Sequence, residues 1–168
     1  MRSQYRKGGY SLKNEAVLRL FSIYSDDLYR FALSYTGSKC EAEDIVQDVF
    51  VKLIAKPFII NKEKEKSYLL KMTANACKDY FRSSRYKSQV DIDDFSEVLR
   101  SSDENSKEDD QLIKTLDKME TIYRMPIYLH YYEGYSYKEI SKILKISGSA
   151  VAMRISRGKE VLKNLLEE

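Results

Sequence analysis

The sequence predicts an all-α protein made of two small helical domains joined by an acidic linker, and three observations carry that expectation. Only 6 glycines and 2 prolines stand in 168 residues, too few turn formers for the short, closely spaced strands of a sheet protein. Apolar residues recur at spacings of three and four along most of the chain, the period of a helix with one face buried. Charge is divided by segment. Residues 1–88 carry 17 basic and 10 acidic side chains (+7), residues 89–110 carry 2 and 9 (−7), and residues 111–168 carry 10 and 7 (+3), within a net charge of only +3. The middle block, QVDIDDFSEVLRSSDENSKEDD, has too few large apolar residues to offset the entropy of ordering it, and reads as a linker rather than as a loop of one domain.

Other classes are excluded on the same grounds. No apolar run approaches the ~18 residues of a membrane span, and the N-terminus lacks the apolar core of a secretory signal. Cys40 and Cys77 stand 37 positions apart with no CxxC spacing, which fits a reduced, cytoplasmic protein with no membrane insertion of its own. No metal site and no cofactor are expected. The lone His130 lies among tyrosines, and neither a Gly-rich phosphate loop nor a carboxylate–histidine cluster is present, so an enzyme is not expected.

In the first domain, Val17, Leu20, Phe21, Tyr24, Leu28, Phe31, Ala32 and Tyr35 define one helical face that ends near Gly37. Ser38 and Glu41 have capping-box spacing. A second buried stripe follows, Ala42, Ile45, Val46, Val49, Phe50 and Leu53, up to Pro57. Its opposite face carries Glu41, Asp44, Gln47, Asp48 and Lys52, which read alone is a solvated face. From Ser67, the positions Leu69, Met72, Ala76 and Tyr80 give a third helix. Its end, CKDYFRSSRYK, sets Lys78, Arg82, Arg85 and Lys87 among Tyr80, Phe81 and Tyr86. Cations there can follow phosphates while aromatic faces stack unpaired bases. Packing aromatics at helical spacing remain the alternative.

The second domain holds the sharper signal. Gly134 is a helix stop, and Ser136 with Glu139 makes a second capping box. Tyr137, Ile140, Ile143 and Leu144 are expected to face inward. After Lys145, Ile146 and the capping Ser147, the positions Val151, Ile155, Gly158 and Leu162 fall on one stripe of a further helix. Two short helices joined in this way form a helix-turn-helix, whose second helix can enter the major groove. Opposite the stripe lie Ser149, Met153, Ser156 and Arg157, with Ala150 and Arg154 on the shoulder. From Ser136 to Lys163 there are seven basic and two acidic residues, a local excess suited to phosphate. A plain helical hairpin with exposed lysines is the bland alternative.

Three stretches, IVQDVFVKLI, SYLLKMTANACKDYFRSSR and YYEGYSYKEISKILKISGSAVAMRISRGKEVL, together resemble the extracytoplasmic-function sigma factors of bacterial RNA polymerase, in the family's order and over nearly the whole chain. The resemblance implies a region 2 over 1–88, an acidic joining segment over 89–110 and a region 4 over 111–168. It implies that Asp44, Gln47, Asp48 and Phe50 meet core polymerase. The loop Pro57 to Lys66 is then the segment that captures a flipped base of the minus-10 element, with Phe58, Tyr68 and Asn75 contributing, and Arg82 and Arg85 meet upstream DNA. Met153, Ser156 and Arg157 align with positions facing the minus-35 major groove, with Lys142, Ser149 and Arg154 mainly on phosphates and Ala150 on the shoulder of the same face. The implied partners are core polymerase, promoter DNA and an anti-sigma factor.

The chain also departs from the family. Many members have Lys where this chain has Ala152, Ser where it has Met153, and Ala where it has Gly158. A specific contact from Met153 would be apolar, for instance to a thymine methyl. Gly158 costs its helix roughly 1 kcal/mol against Ala unless close packing needs it. The competing function is a self-sufficient helix-turn-helix regulator that binds operators without polymerase. Such proteins usually dimerise, and no sustained heptad is present here.

Overall fold

A computed structural model of the chain describes residues 5–55, 60–83 and 114–167, with side chains described from residue 14 to residue 166 within those ranges. Every regular element among them is helical: α1 (Tyr5–Thr36), α2 (Lys39–Ala55), a 3-10 turn (Lys62–Lys64), α3 (Glu65–Arg82), a short helical stretch over 114–117, α4 (Thr121–Ile127) running into a π turn (Tyr128–Tyr132), α5 (Tyr137–Leu144) and α6 (Gly148–Glu167). The linker expected over 89–110 lies outside the described residues.

The first domain is a three-helix unit. α1 stops at Gly37, whose φ of +68° is open to glycine at little cost. The Ser38 hydroxyl then accepts the Glu41 N–H at 3.4 Å and starts α2. All six apolar positions expected on the α2 stripe are buried. Two sequence expectations need correction here. Glu41 belongs to the buried set rather than the solvated face, and Phe21, expected inside, is 47% exposed while its ring meets the edge of Phe50. α3 begins at Glu65, two residues earlier than its apolar pattern indicates, because the 3-10 turn capped by Asn61 feeds directly into it. Cys77 is fully buried in this unit, and burial pushes its thiol far above the ordinary range, whereas Cys40 is exposed.

In the second domain, α4 contains Pro126, which has no N–H for the helical ladder, and the following turn widens to the π form before Gly134 (φ +74°) ends it. Gly158 explains itself. A Cβ there would lie 2.8 Å from Ile127 Cγ1 and 3.2 Å from Tyr123 Cβ, so α6 crosses α4 at a distance only glycine permits.

The two domains share one contiguous apolar core. Phe31 and Tyr128, both fully buried, meet with ring centroids 5.6 Å apart, and Asp117 packs over the Gly37 turn. Burial raises the Asp117 carboxyl, with Arg124 opposing the rise. Arg124 also donates to the Tyr35 carbonyl at 3.2 Å, tying the second domain to the end of α1.

Candidate nucleic-acid interface

The helix-turn-helix is set by bonds between near neighbours. Ser136 and Glu139 complete a reciprocal capping box: the Ser136 N–H and hydroxyl donate to Glu139 Oε2 at 2.9 and 2.6 Å, and Ser136 Oγ accepts the Glu139 N–H at 3.4 Å. These bonds hold the Glu139 carboxyl below its usual range. α5 ends at Lys145, which adopts a left-handed φ of +53°, and the turn is closed by the Ser141 hydroxyl donating to the Ile146 carbonyl at 2.7 Å. Ser147 then caps α6 by accepting the Ala150 N–H at 3.2 Å. Ile140, Ile143 and Leu144 are buried together with Val151 and Ile155. Tyr137, expected among them, is instead 40% exposed and lies edge-on to the His130 ring, 5.0 Å between centroids. The first residue of a short helix points along the surface, so its aromatic ring covers a neighbour rather than the core.

With that stripe fixed, the opposite face of α6 is outward. Ser149, Met153, Ser156 and Arg157 are exposed, Ala150 and Arg154 are half-buried, and Lys142 on α5 is exposed. The six residues named on α6 share one face of that helix, while Lys142 lines a groove with Tyr68 and Glu139. His130 is held structurally, its Nδ1 2.9 Å from the Tyr135 carbonyl.

On α3, Tyr68, Asn75 and Arg82 fall at helical spacing, Tyr68 and Arg82 exposed and Asn75 half-buried. Phe58 and Arg85 lie outside the described residues. Sequence reasoning missed Lys71, which occupies the same face between Tyr68 and Asn75 and lines a groove with Tyr68; the period of α3 alone would have found it. Lys78, read from sequence as a phosphate contact, has another task. Its ammonium donates to the Leu144 carbonyl at the end of α5, where a cation meets the negative end of the helix dipole. Burial lowers the Lys78 ammonium, and Arg154, Arg82 and Lys145 lower it further. Tyr80 and Phe81 are half-buried and packed, Phe81 edge-on to both Tyr35 and Tyr80 at 5.0 and 5.1 Å, so the packing alternative describes them.

The start of α3 is anchored from a distance. Glu65, the first residue of α3, is buried and receives both guanidinium nitrogens of Arg19 and the Tyr24 hydroxyl. The Arg19 bonds hold the Glu65 carboxyl below its ordinary range. Neither Arg19 nor Tyr24 was singled out from sequence.

On α2, Asp44, Gln47 and Asp48 are exposed along one face. Phe50 does not share it: at 5% exposure it is a core residue, because it is on the buried stripe with Val46 and Val49. The apolar residue that does join the acidic face is Val51, 60% exposed. Among the described residues no group of His, Cys, Asp or Glu could hold a metal ion, and no helix is long and apolar enough to cross a membrane.

Comparison with known proteins agrees with this arrangement. The family model for sigma-70 region 2 matches residues 20–86, and that for sigma-70 region 4 matches residues 109–162. The ECF RNA polymerase sigma factor SigM of Bacillus subtilis is 29% identical over 152 residues, covering 87% of this chain and 92% of the relative. The RNA polymerase sigma factor SigZ of the same organism is 32% identical over 127 residues, covering 74% and 72%. The fold is similar to that of the sigma factor RpoE, solved in complex with the anti-sigma factor NepR from Bartonella quintana, with a TM-score of 0.69, 24% identity and coverage of 94% of this chain and 97% of that one. With both conserved regions matched in order on two helical domains, the chain belongs to the sigma-70 family as an extracytoplasmic-function RNA polymerase sigma factor.

Proposed function

We propose that this sigma factor, which directs RNA polymerase to promoters, divides the work between three surfaces and carries out no catalysis of its own. The outward face of α6 reads the minus-35 element: Met153, Ser156 and Arg157 meet base edges, Lys142, Ser149 and Arg154 hold the backbone, and Ala150 lies on the shoulder of that face. Tyr68, Asn75 and Arg82, with Phe58 and Arg85, serve the minus-10 element. Asp44, Gln47 and Asp48 bind core polymerase, with Val51 taking the apolar place first expected of Phe50. An anti-sigma factor is a further proposed partner, and the cytoplasm the proposed location. Domain limits of 1–88 and 111–168 around the acidic segment go with this assignment.

The observation that carries the reading is the exposure of the Ser149-to-Arg157 face on a helix whose start, turn and buried stripe are fixed by Ser147, Ser141 and Val151. A base-reading helix needs side chains free on one side and a rigid mount on the other. Run-off transcription with core polymerase over a promoter library is the test. Transcription from a defined subset of promoters is expected, and none above core alone would refute the assignment. A gel shift without polymerase separates the competing regulator, since strong sequence-specific binding by the free protein would favour it.

A further inference from the structure

α2, α5 and α6 each open on a serine whose hydroxyl accepts a backbone N–H of the first turn. α3 does not. Its cap residue, Lys64, makes no side-chain bond to the helix, and its first buried apolar residue is Leu69. The first turn, Glu65 to Tyr68, therefore lies ahead of the apolar core and without a side-chain cap, where the leading N–H groups of a helix lack partners and its end frays. What holds this turn is α1. Arg19 donates from both terminal guanidinium nitrogens to Glu65, the Tyr24 hydroxyl donates to Glu65 Oε2 at 3.3 Å, and Asp27 pairs with Lys66 at 2.9 Å; Lys66 also meets Glu133 of the second domain at 2.6 Å. We propose that Arg19 and Tyr24 are positioning residues for promoter opening: acting through Glu65, they hold Tyr68 where it meets the minus-10 strand. The inference rests on the assignment of Tyr68 to that element above.

The link between anchor and strand is the burial of Glu65. At 5% exposure its carboxylate depends on the guanidinium for charge and hydrogen bonds, and a buried carboxylate that loses its partner is strongly disfavoured. With Arg19 neutralised, the carboxylate regains water only by swinging the first turn away from α1. Tyr68 belongs to that same turn and is 40% exposed, so it moves with Glu65. Lys71 and Asn75 stand instead on the part of α3 pinned by Leu69, Leu70, Thr73 and Ala74. Flipping a base requires contacts that offset its unstacking, and a first turn that is not yet set spends part of their gain on its own ordering. The unstacking cost is least where the strand is already unpaired, so the anchor matters most on closed duplex.

The test compares Arg19→Gln with the unaltered chain in run-off transcription with core polymerase on two templates: a promoter selected from the library as closed duplex, and the same promoter with a mismatched bubble across the minus-10 element. Output from the duplex should fall about tenfold, the factor that goes with ordering roughly one residue, while output from the bubble should stay within about twofold. Tyr24→Phe, which removes one hydroxyl, should show the same selective loss in smaller measure and carries the comparison should Arg19→Gln unfold. Arg19→Lys, which keeps the charge, should recover most of the duplex output. A merely structural role lowers the amount of competent protein and cuts both templates alike, so equal losses overturn the proposal, as does an unaffected duplex. An unaltered chain inactive on both templates would remove the sigma assignment and this inference with it, whereas an active unaltered chain whose variants ignore the template removes the inference alone.

Discussion

In region 4 the groups that aim the recognition helix, Ser136, Glu139, Ser141 and Ser147, lie within three short turns of one another, and each bonds to a partner two to five positions away. In region 2 the start of α3 is instead held by Arg19 and Tyr24, which stand 46 and 41 positions before Glu65. A short-range cap survives the loss of its neighbours, whereas a long-range ion pair works only once α1 and α3 are docked. The helix-turn-helix of region 4 is therefore fixed by local chemistry, and the start of α3 in region 2 depends on the assembled domain.

The largest effect is expected where the two regions differ most in partner. Asp48→Lys on the exposed face of α2 should abolish copurification with core polymerase and leave thermal unfolding unchanged; retained copurification would remove that face from the interface. Gly158→Ala comes next. The substitution gains roughly 1 kcal/mol of helix propensity but forces a methyl onto Ile127 and Tyr123, and overpacking of this kind costs about 1 to 3 kcal/mol, so a net loss of up to about 2 kcal/mol is expected in urea unfolding. A stabilised variant would show that α4 can retreat from α6.

Within region 4, Arg157→Ala should lower discrimination between promoters by about 1 to 3 kcal/mol, while Lys142→Ala should weaken all sequences alike and reduce the salt slope by about 1. Binding of both variants over a set of minus-35 sequences checks this, and a uniform loss from Arg157→Ala would place it on phosphate. The smallest effect probes the distant anchor of region 2. The Glu65 carboxyl is held below its ordinary range by Arg19, so its stabilising contribution is complete above about pH 5 and fades as pH falls through the lowered value. Arg19 is partly exposed, so solvent screens the pair and its contribution is small. Glu65→Gln should flatten this part of the acid limb in a stability-against-pH series, and an unchanged limb would show the pair to be idle.

What the sequence disclosed follows the same division. The helix-turn-helix was legible because caps and stripes are short-range patterns: the Ser136–Glu139 box, the Ser147 cap and the Val151 stripe are all present, and the close crossing that excuses Gly158 was foreseen as a condition. The helices of region 2 were legible too, with α1 ending beside Gly37 as expected and α2 ending at Ala55, two residues before the expected stop at Pro57. Less legible was which side chains a third partner covers. Phe50 looked available because it sits in a matched motif, but burial follows the stripe and not the motif. Tyr137 and Phe21 failed in the other direction, since an apolar period marks a face without saying where the neighbouring helix ends. Lys78 was assigned to phosphate because its helix is basic; only the docking of α5 against α3 gives it the Leu144 carbonyl. Glu65, Arg19 and Tyr24 left no local signal at all, because an ion pair between distant helices has no period.

The two thiols offer a use that the fold itself creates. With Cys40 open to solvent and Cys77 sealed at the centre of the helix trio, an alkylating reagent should modify the intact molecule once, at the head of α2. Any second adduct, counted by mass spectrometry against time, would then clock how often that trio breathes apart.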